Sequence, residues 1–214
     1  MARTVGSNGK RTQRLIREAA AALVARHGFD AMSMRQLAAE VGVQVAALYR
    51  YFPTKEDLLF SLLREHLEEL LASSTQTPIA SGAPARRLTA FIANHIEFHI
   101  ARRHSTHVSN MELRSLSPER LSAILKMRNA YEKQLRAILR DGSAEGTFIV
   151  EDVKLTAMAI IQMITGVIVW FRPNERLSVE EVTATYHRMT LRLLGVGEAR
   201  ELADVRPRHE LRAG

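Results

Sequence analysis

Apolar residues recur along this chain at three- and four-residue intervals, and no stretch alternates as a half-buried strand would. Leu15, Ala19, Ala22 and Leu23 share a face of a first helix, which follows a basic leader (Arg3, Lys10, Arg11, Arg14) and stops at Gly28. Ser33, with Gln36 three residues on, caps a short second helix whose Met34, Leu37, Ala38 and Val41 keep the i, i+3, i+4, i+7 spacing. Gly42 ends it. A third helix carries Leu48, Tyr49 and Phe52 and closes at Pro53. Thr54 caps the fourth, with Glu56 and Asp57 in its first turn and Leu59, Leu62, Leu63, Leu67 and Leu70 along it. Residues 73–84 read as a loop, 85–103 as a helix, and the residues after it as a polar connection. The next helix opens at Ser117-Pro118, runs to about Arg140 and ends at Gly142. A penultimate helix containing 155–171 is apolar nearly all round, which predicts burial on more than one side. The last begins at Ser178, with Glu181 completing a capping box, and stops at Gly195.

The pattern predicts an all-α protein: an N-terminal helix-turn-helix unit over 1–54, a larger helical domain over 55–197, and a charged tail over 198–214. Composition narrows its chemistry. With no cysteine among 214 residues, disulfides and thiolate catalysis are excluded. A formal charge of +7 favours polyanionic partners, since each neutralised phosphate releases counterions. The first ten residues lack the apolar core of a signal peptide, and 155–171 is short and interrupted for a membrane span. Both point to a cytoplasmic protein. No Gly-rich phosphate loop, GxSxG elbow or HExxH helix occurs, so an enzyme is not expected.

Residues 33–59 carry the function. Two short helices meet at Gly42-Val43, with small Ala38 where they cross and apolar Val43 and Leu48 where the second docks. That is the form of a helix-turn-helix, whose second helix enters the major groove. Ser33, Arg35, Leu37, Ala38, Gly42, Val43, Leu48, Tyr49, Tyr51, Phe52, Lys55, Glu56 and Leu58 stand at fixed spacing, and this block resembles the DNA-binding domain of the TetR (tetracycline repressor-like) family. Gln44, where that family usually has Ser or Thr, and Ala46, often Gly there, depart from it at base-reading positions. The resemblance implies a DNA-contacting set of Ser33, Arg35, Gln44, Val45, Ala46, Ala47, Tyr49, Arg50, Tyr51 and Lys55. In it Ser33, Tyr49 and Lys55 hold phosphates, Gln44 suits adenine, Val45 and Ala46 a thymine methyl, and Arg50 either guanine or a phosphate.

The remainder implies a cavity and an interface. His95 and His99 lie one turn apart on the apolar face of Leu88, Ile92 and Ile96, as satisfied core histidines, as oriented polar groups of a cavity, or as half of a metal site lacking further ligands. The expectation is no metal and no cofactor. Phe91, Asn94, His95, Phe98, His99, Met111, Met127, Met163, Val167 and Trp170 form the candidate ligand-binding set. The blocks 111–119, 136–148 and 167–181 resemble the branch of the TetR family that controls fatty-acid and steroid catabolism and responds to acyl-CoA thioesters, with Arg172 and Arg176 as candidate phosphate partners. The resemblance further implies a homodimer through the last two helices, with Ile160, Ile164, Ile168, Val182, Tyr186, Met189 and Leu193 at the interface. A dimer also suits palindromic operator DNA, because one short helix reads too few base pairs. The function implied is a repressor released from its operator by a small apolar effector such as an acyl-CoA. An architectural DNA-binding protein without effector and an all-α enzyme are the alternatives.

Overall fold

The computed structural model describes residues 7–75, 81–173 and 175–196. Arg3 of the leader, part of the expected loop at 73–84 and the charged tail at 198–214 lie outside the described residues. The described residues form ten α-helices and one 3₁₀ turn, with no strand among them. They are α1 (Ser7–His27), α2 (Met34–Val41), α3 (Val45–Tyr51), α4 (Lys55–Thr75), α5 (Pro84–Ala101), α6 (Arg103–Met111), the 3₁₀ turn (Leu113–Ser115), α7 (Pro118–Ala144), α8 (Val153–Thr165), α9 (Val167–Trp170) and α10 (Val179–Leu193).

Local chemistry sets the N-terminal boundaries. The Ser33 hydroxyl accepts from Gln36 N, and Gly42 takes the left-handed conformation (φ 73°) that lets its amide close the end of α2. Thr54 and Asp57 cap each other at the start of α4, at 2.8 and 3.0 Å. Ile16, Ala20, Leu23, Leu37, Leu48 and Phe52 are buried together, so α1–α3 close on one apolar centre that continues into Leu58, Leu59 and Leu63 of α4. In the C-terminal part α5 is the hub: α4, α7, α8 and α10 all pack on it, while α6 lies against α1 and α4.

Three expectations change. The polar residues after 103 are a helix, because Thr106, Val108 and Ser109 bury against their neighbours although the segment RHSTHVSNM has few apolar residues. Gly142 does not end α7, which runs to Ala144. Its missing side chain instead makes room for Phe148, since a Cβ there would fall inside that ring. The penultimate helix passes through Gly166 into one-turn α9, and only a third of 153–170 is buried within the chain, so its burial is one-sided. Contrary to the reading of 155–171 as too short, the 18-residue stretch 153–170, with mean hydropathy 1.8, has the length and composition of a membrane span, a property that core helices share.

Candidate nucleic-acid interface and interior cluster

On α3 the outward and inward residues separate cleanly. Leu48 is 0% exposed and Phe52 is buried beside it, anchoring the helix, whereas Tyr49 is 47% exposed and Gln44, Ala46 and Arg50 face solvent. Gln44 sits at the N-cap position without using its side chain there, which leaves the amide available to a partner. Val45 and Ala47 are half-buried, and Ser33 and Arg35 of the preceding turn and helix lie exposed. Tyr51 is half-buried, its hydroxyl beside Gly9 of α1. Lys55 donates to Asp30 O at 3.1 Å and lies over the Phe29 ring at 4.4 Å, two contacts that fix where its ammonium stands. The surface thus combines cations, an amide and methyl groups on a helix short and rigid enough to enter a groove.

Several side-chain contacts join this unit to the helices behind it. Glu112, buried just past α6, accepts from Phe29 N at 3.1 Å, where Gly28 has turned the chain out of α1. Glu56 accepts from Ser117 N at 2.8 Å, and Arg120 pairs with Asp57, so the start of α7 is tied to the start of α4. These contacts hold both carboxyl groups below their ordinary range: at Glu56 chiefly through the Ser117 amide, at Asp57 chiefly through the Thr54 hydroxyl. Arg17 of α1 pairs with Glu65 of α4. None of these links shows in helical periodicity, because each joins residues far apart in sequence.

Inside the C-terminal part, Phe91, Asn94, His95, Phe98 and His99 converge, joined by His66 and Tyr131, which sequence reasoning missed. His66 carried a signal, as the polar residue within the Leu62, Leu63, Leu67, Leu70 stripe of α4. Thr165 spends its hydroxyl hydrogen on Ile161 O (2.7 Å), so it accepts from His95 Nε2 at 2.8 Å. His95 Nδ1 is then the acceptor for the Tyr131 hydroxyl at 3.1 Å. His99 Nδ1 donates to His95 O at 2.7 Å, and the two rings stack at 3.9 Å. Burial lowers His66 to about 3 and His99 to about 4, lowers His95 well below its usual range, and raises Tyr131. The cluster is therefore neutral at pH 7. Among the described residues no group of three or more His, Asp or Glu side chains is placed to hold a metal ion.

Other expected positions fall elsewhere. Met111 ends α6 on its solvent side at 61% exposure, since Thr106, Val108 and Ser109 occupy the inner face, so it lines no interior wall. Trp170 is an outer-surface residue stacked on Tyr186 (6.4 Å), while Met127 and Met163 are half-buried and Val167 is buried. Ile160, Ile164, Ile168 and Val182 are buried within the chain itself, because α5 and its neighbours cover that side of α8–α10, and they cannot face a partner. The uncovered stripe is the adjacent one: Leu155, Met158 and Trp170, with Met189 and Leu193 on α10 and Tyr186 half-buried beside them.

Residues 81–194 match the description "Tetracyclin repressor-like, C-terminal domain", and residues 16–62 match "Bacterial regulatory proteins, tetR family". The HTH-type transcriptional repressor KstR2 of Rhodococcus jostii is 26% identical over 191 residues, spanning 88% of this chain and 92% of that protein. The ketosteroid transcriptional regulator KstR2 of Mycobacterium tuberculosis superposes with a TM-score of 0.77 at 27% identity, over 89% of this chain and 96% of that one. AibR, solved with isovaleryl coenzyme A and operator DNA, shares the fold with a TM-score of 0.75 at 24% identity, over 83% and 97%.

Proposed function

Since the chain belongs to the tetR family of bacterial regulatory proteins, we propose that it acts as a cytoplasmic homodimeric repressor that releases a palindromic operator when an acyl-CoA or similar apolar effector binds its helical domain. It is a DNA-binding transcriptional regulator and not an enzyme, as its named relatives are repressors. The observation that carries the reading is the outer side of α3: Gln44, Ala46, Tyr49 and Arg50 face solvent, backed by a fully buried Leu48. In this reading Gln44 and Arg50 read base edges and Val45, Ala46 and Ala47 fit the groove floor. Ser33, Arg35, Tyr49, Tyr51 and Lys55 hold the backbone.

Dimerisation is supported by the uncovered stripe on α8–α10. An apolar surface of this kind calls for a partner, and a twofold pairing would set two α3 helices about one turn of DNA apart. The effector assignment is supported by the KstR2 relatives and by the isovaleryl coenzyme A in AibR. Coupling runs through the ties at Glu112, Arg120 and Arg17: a ligand that displaces α4 or α6 moves the DNA-reading unit with it. A tenfold preference of effector for the DNA-incompetent state supplies about 1.4 kcal/mol of release.

Genome-wide operator mapping with purified protein, followed by band shifts on the recovered site with isovaleryl- and dodecanoyl-CoA, tests this reading. The expected result is one palindromic site preferred over nonspecific DNA by about 10³ or more, released by at least one thioester. No preferred site would overturn the regulator. A preferred site unmoved by thioesters of any chain length would overturn the effector.

A further inference from the structure

A cleft of about 1030 Å³ opens between α1, α4 and the α5–α6 junction and borders the interior cluster through His66, whose ring lies 5.3 Å from Phe98 and 5.6 Å from His99. Arg14, Arg17, Arg102 and Arg103 line it, with apolar ground supplied by Leu62 and Ile100. Three of these cations already have carboxylates: Arg14 pairs with Glu18, Arg17 with Glu65 and Arg102 with Glu69. Arg103 has no ion-pair partner among the described residues. It donates to Phe171 O (3.0 Å) and Val169 O (3.3 Å), and burial together with nearby Arg172 makes its charged form harder to hold. His66 also lines the cleft. It is only 4% exposed, yet its Nδ1 has no hydrogen-bond partner. A buried unpaired nitrogen is costly and marks a place where a ligand atom would be welcome.

We propose that this cleft is the head-group subsite of the effector, binding a phosphorylated, amphipathic anion. Its arginines take the phosphates and His66 takes a polar atom of the ligand. The inference rests on the effector reading above and deepens it. The volume lies at the top of the range for small-molecule sites, about 300–1,000 Å³, as a long ligand requires. Arginine is the side chain suited to phosphate, since its planar fork donates two parallel hydrogen bonds. Phosphates entering here compete with Glu65 for Arg17 and with Glu69 for Arg102. The first of these pairs ties α1 of the DNA-reading unit to α4, and the second ties α4 to the end of α5. Ligand binding and loss of the α1–α4 tie are then one event, which gives the effector its differential affinity for the DNA-free arrangement.

The test titrates the full chain calorimetrically with dodecanoyl-CoA, free coenzyme A, sodium dodecanoate and sodium tripolyphosphate. It compares wild type with Arg14→Gln and Arg102→Gln, whose side chains are exposed enough to be replaced without loss of fold, and with Arg103→Lys. Melting temperature and ligand-free operator affinity check each variant. The expected outcome is binding of dodecanoyl-CoA, coenzyme A and tripolyphosphate at one mutually competitive site. Each Gln variant should weaken all three about tenfold, leave dodecanoate unaffected and leave the ligand-free operator complex intact, and Arg103→Lys, which keeps the charge but loses the planar fork, should weaken all three by a smaller factor. Wild type released from DNA by dodecanoyl-CoA, with variants unchanged within twofold, would overturn the subsite and leave the effector reading standing. Tripolyphosphate binding that falls in the variants, with no acyl-CoA bound, would keep the anion site and end the acyl-CoA reading. No binding of any probe would end both.

Discussion

Tyr49 shows how a single position acquires meaning from its neighbours. Its ring stands in solvent one residue after Leu48, which holds α3 down from inside. Replacing it by Ala should weaken binding to specific and nonspecific DNA alike while leaving the salt slope unchanged, since a neutral hydroxyl on a phosphate displaces no counterion; band shifts across a salt series would measure this. An unchanged affinity would remove it from the contact set. Gly142 is the opposite case, an interior position where nothing fits. A Cβ there meets the Phe148 ring, so Gly142→Ala should cost about 1–3 kcal/mol through overpacking, seen as a lower denaturation midpoint. Tyr49 was legible because its whole block has a fixed spacing. The need for Gly142 was not, because Phe148 returns to it only after the chain has turned, and from sequence the glycine reads as a helix stop.

At the scale of elements, the joints matter more than the helices. The end of α1 and the end of α6 are held together by one carboxylate, Glu112, accepting the buried Phe29 amide. Glu112→Ala would leave that donor without a partner and should cost about 1–3 kcal/mol, measurable by chemical denaturation. If the joint also transmits the effector signal, the variant's operator complex should respond less to ligand. α6 itself eluded the periodicity because its buried residues are Thr106, Val108 and Ser109, two of them hydroxyl side chains. The helix is dictated by what covers it, not by its own apolar content. By contrast α10 was legible to the residue at its start, since the Ser178–Glu181 capping box is a purely local device that forms as read.

For the whole molecule, two expectations follow from burial. His66, His95 and His99 are kept neutral inside the fold, while in the unfolded chain they take up protons near pH 6.5. Because the unfolded state then binds more protons, stability is full above about pH 6.5 and declines as pH falls, by up to about 1.4 kcal/mol per pH unit for each histidine. The decline continues until the folded values, about 4 for His99 and about 3 for His66, are passed. Denaturation between pH 7 and pH 4 should show this slope, and His66→Gln should reduce it. The second expectation concerns the uncovered stripe: Leu193, 56% exposed beside Met189, should tolerate Glu as a folded monomer. Sedimentation would show half the native mass, and operator affinity should fall with the loss of the second reading head. A native mass in the variant would move the interface elsewhere. The amino-acid sequence by itself determined the helical class, the helix-turn-helix with its outward Gln44 side, and the caps, because periodicity, turn glycines and capping residues act within a few positions of one another. Only the tertiary structure decided which stripe of α8 stays uncovered, which partners neutralise the histidines, and where an arginine-lined cleft opens, because each depends on residues brought together from distant helices.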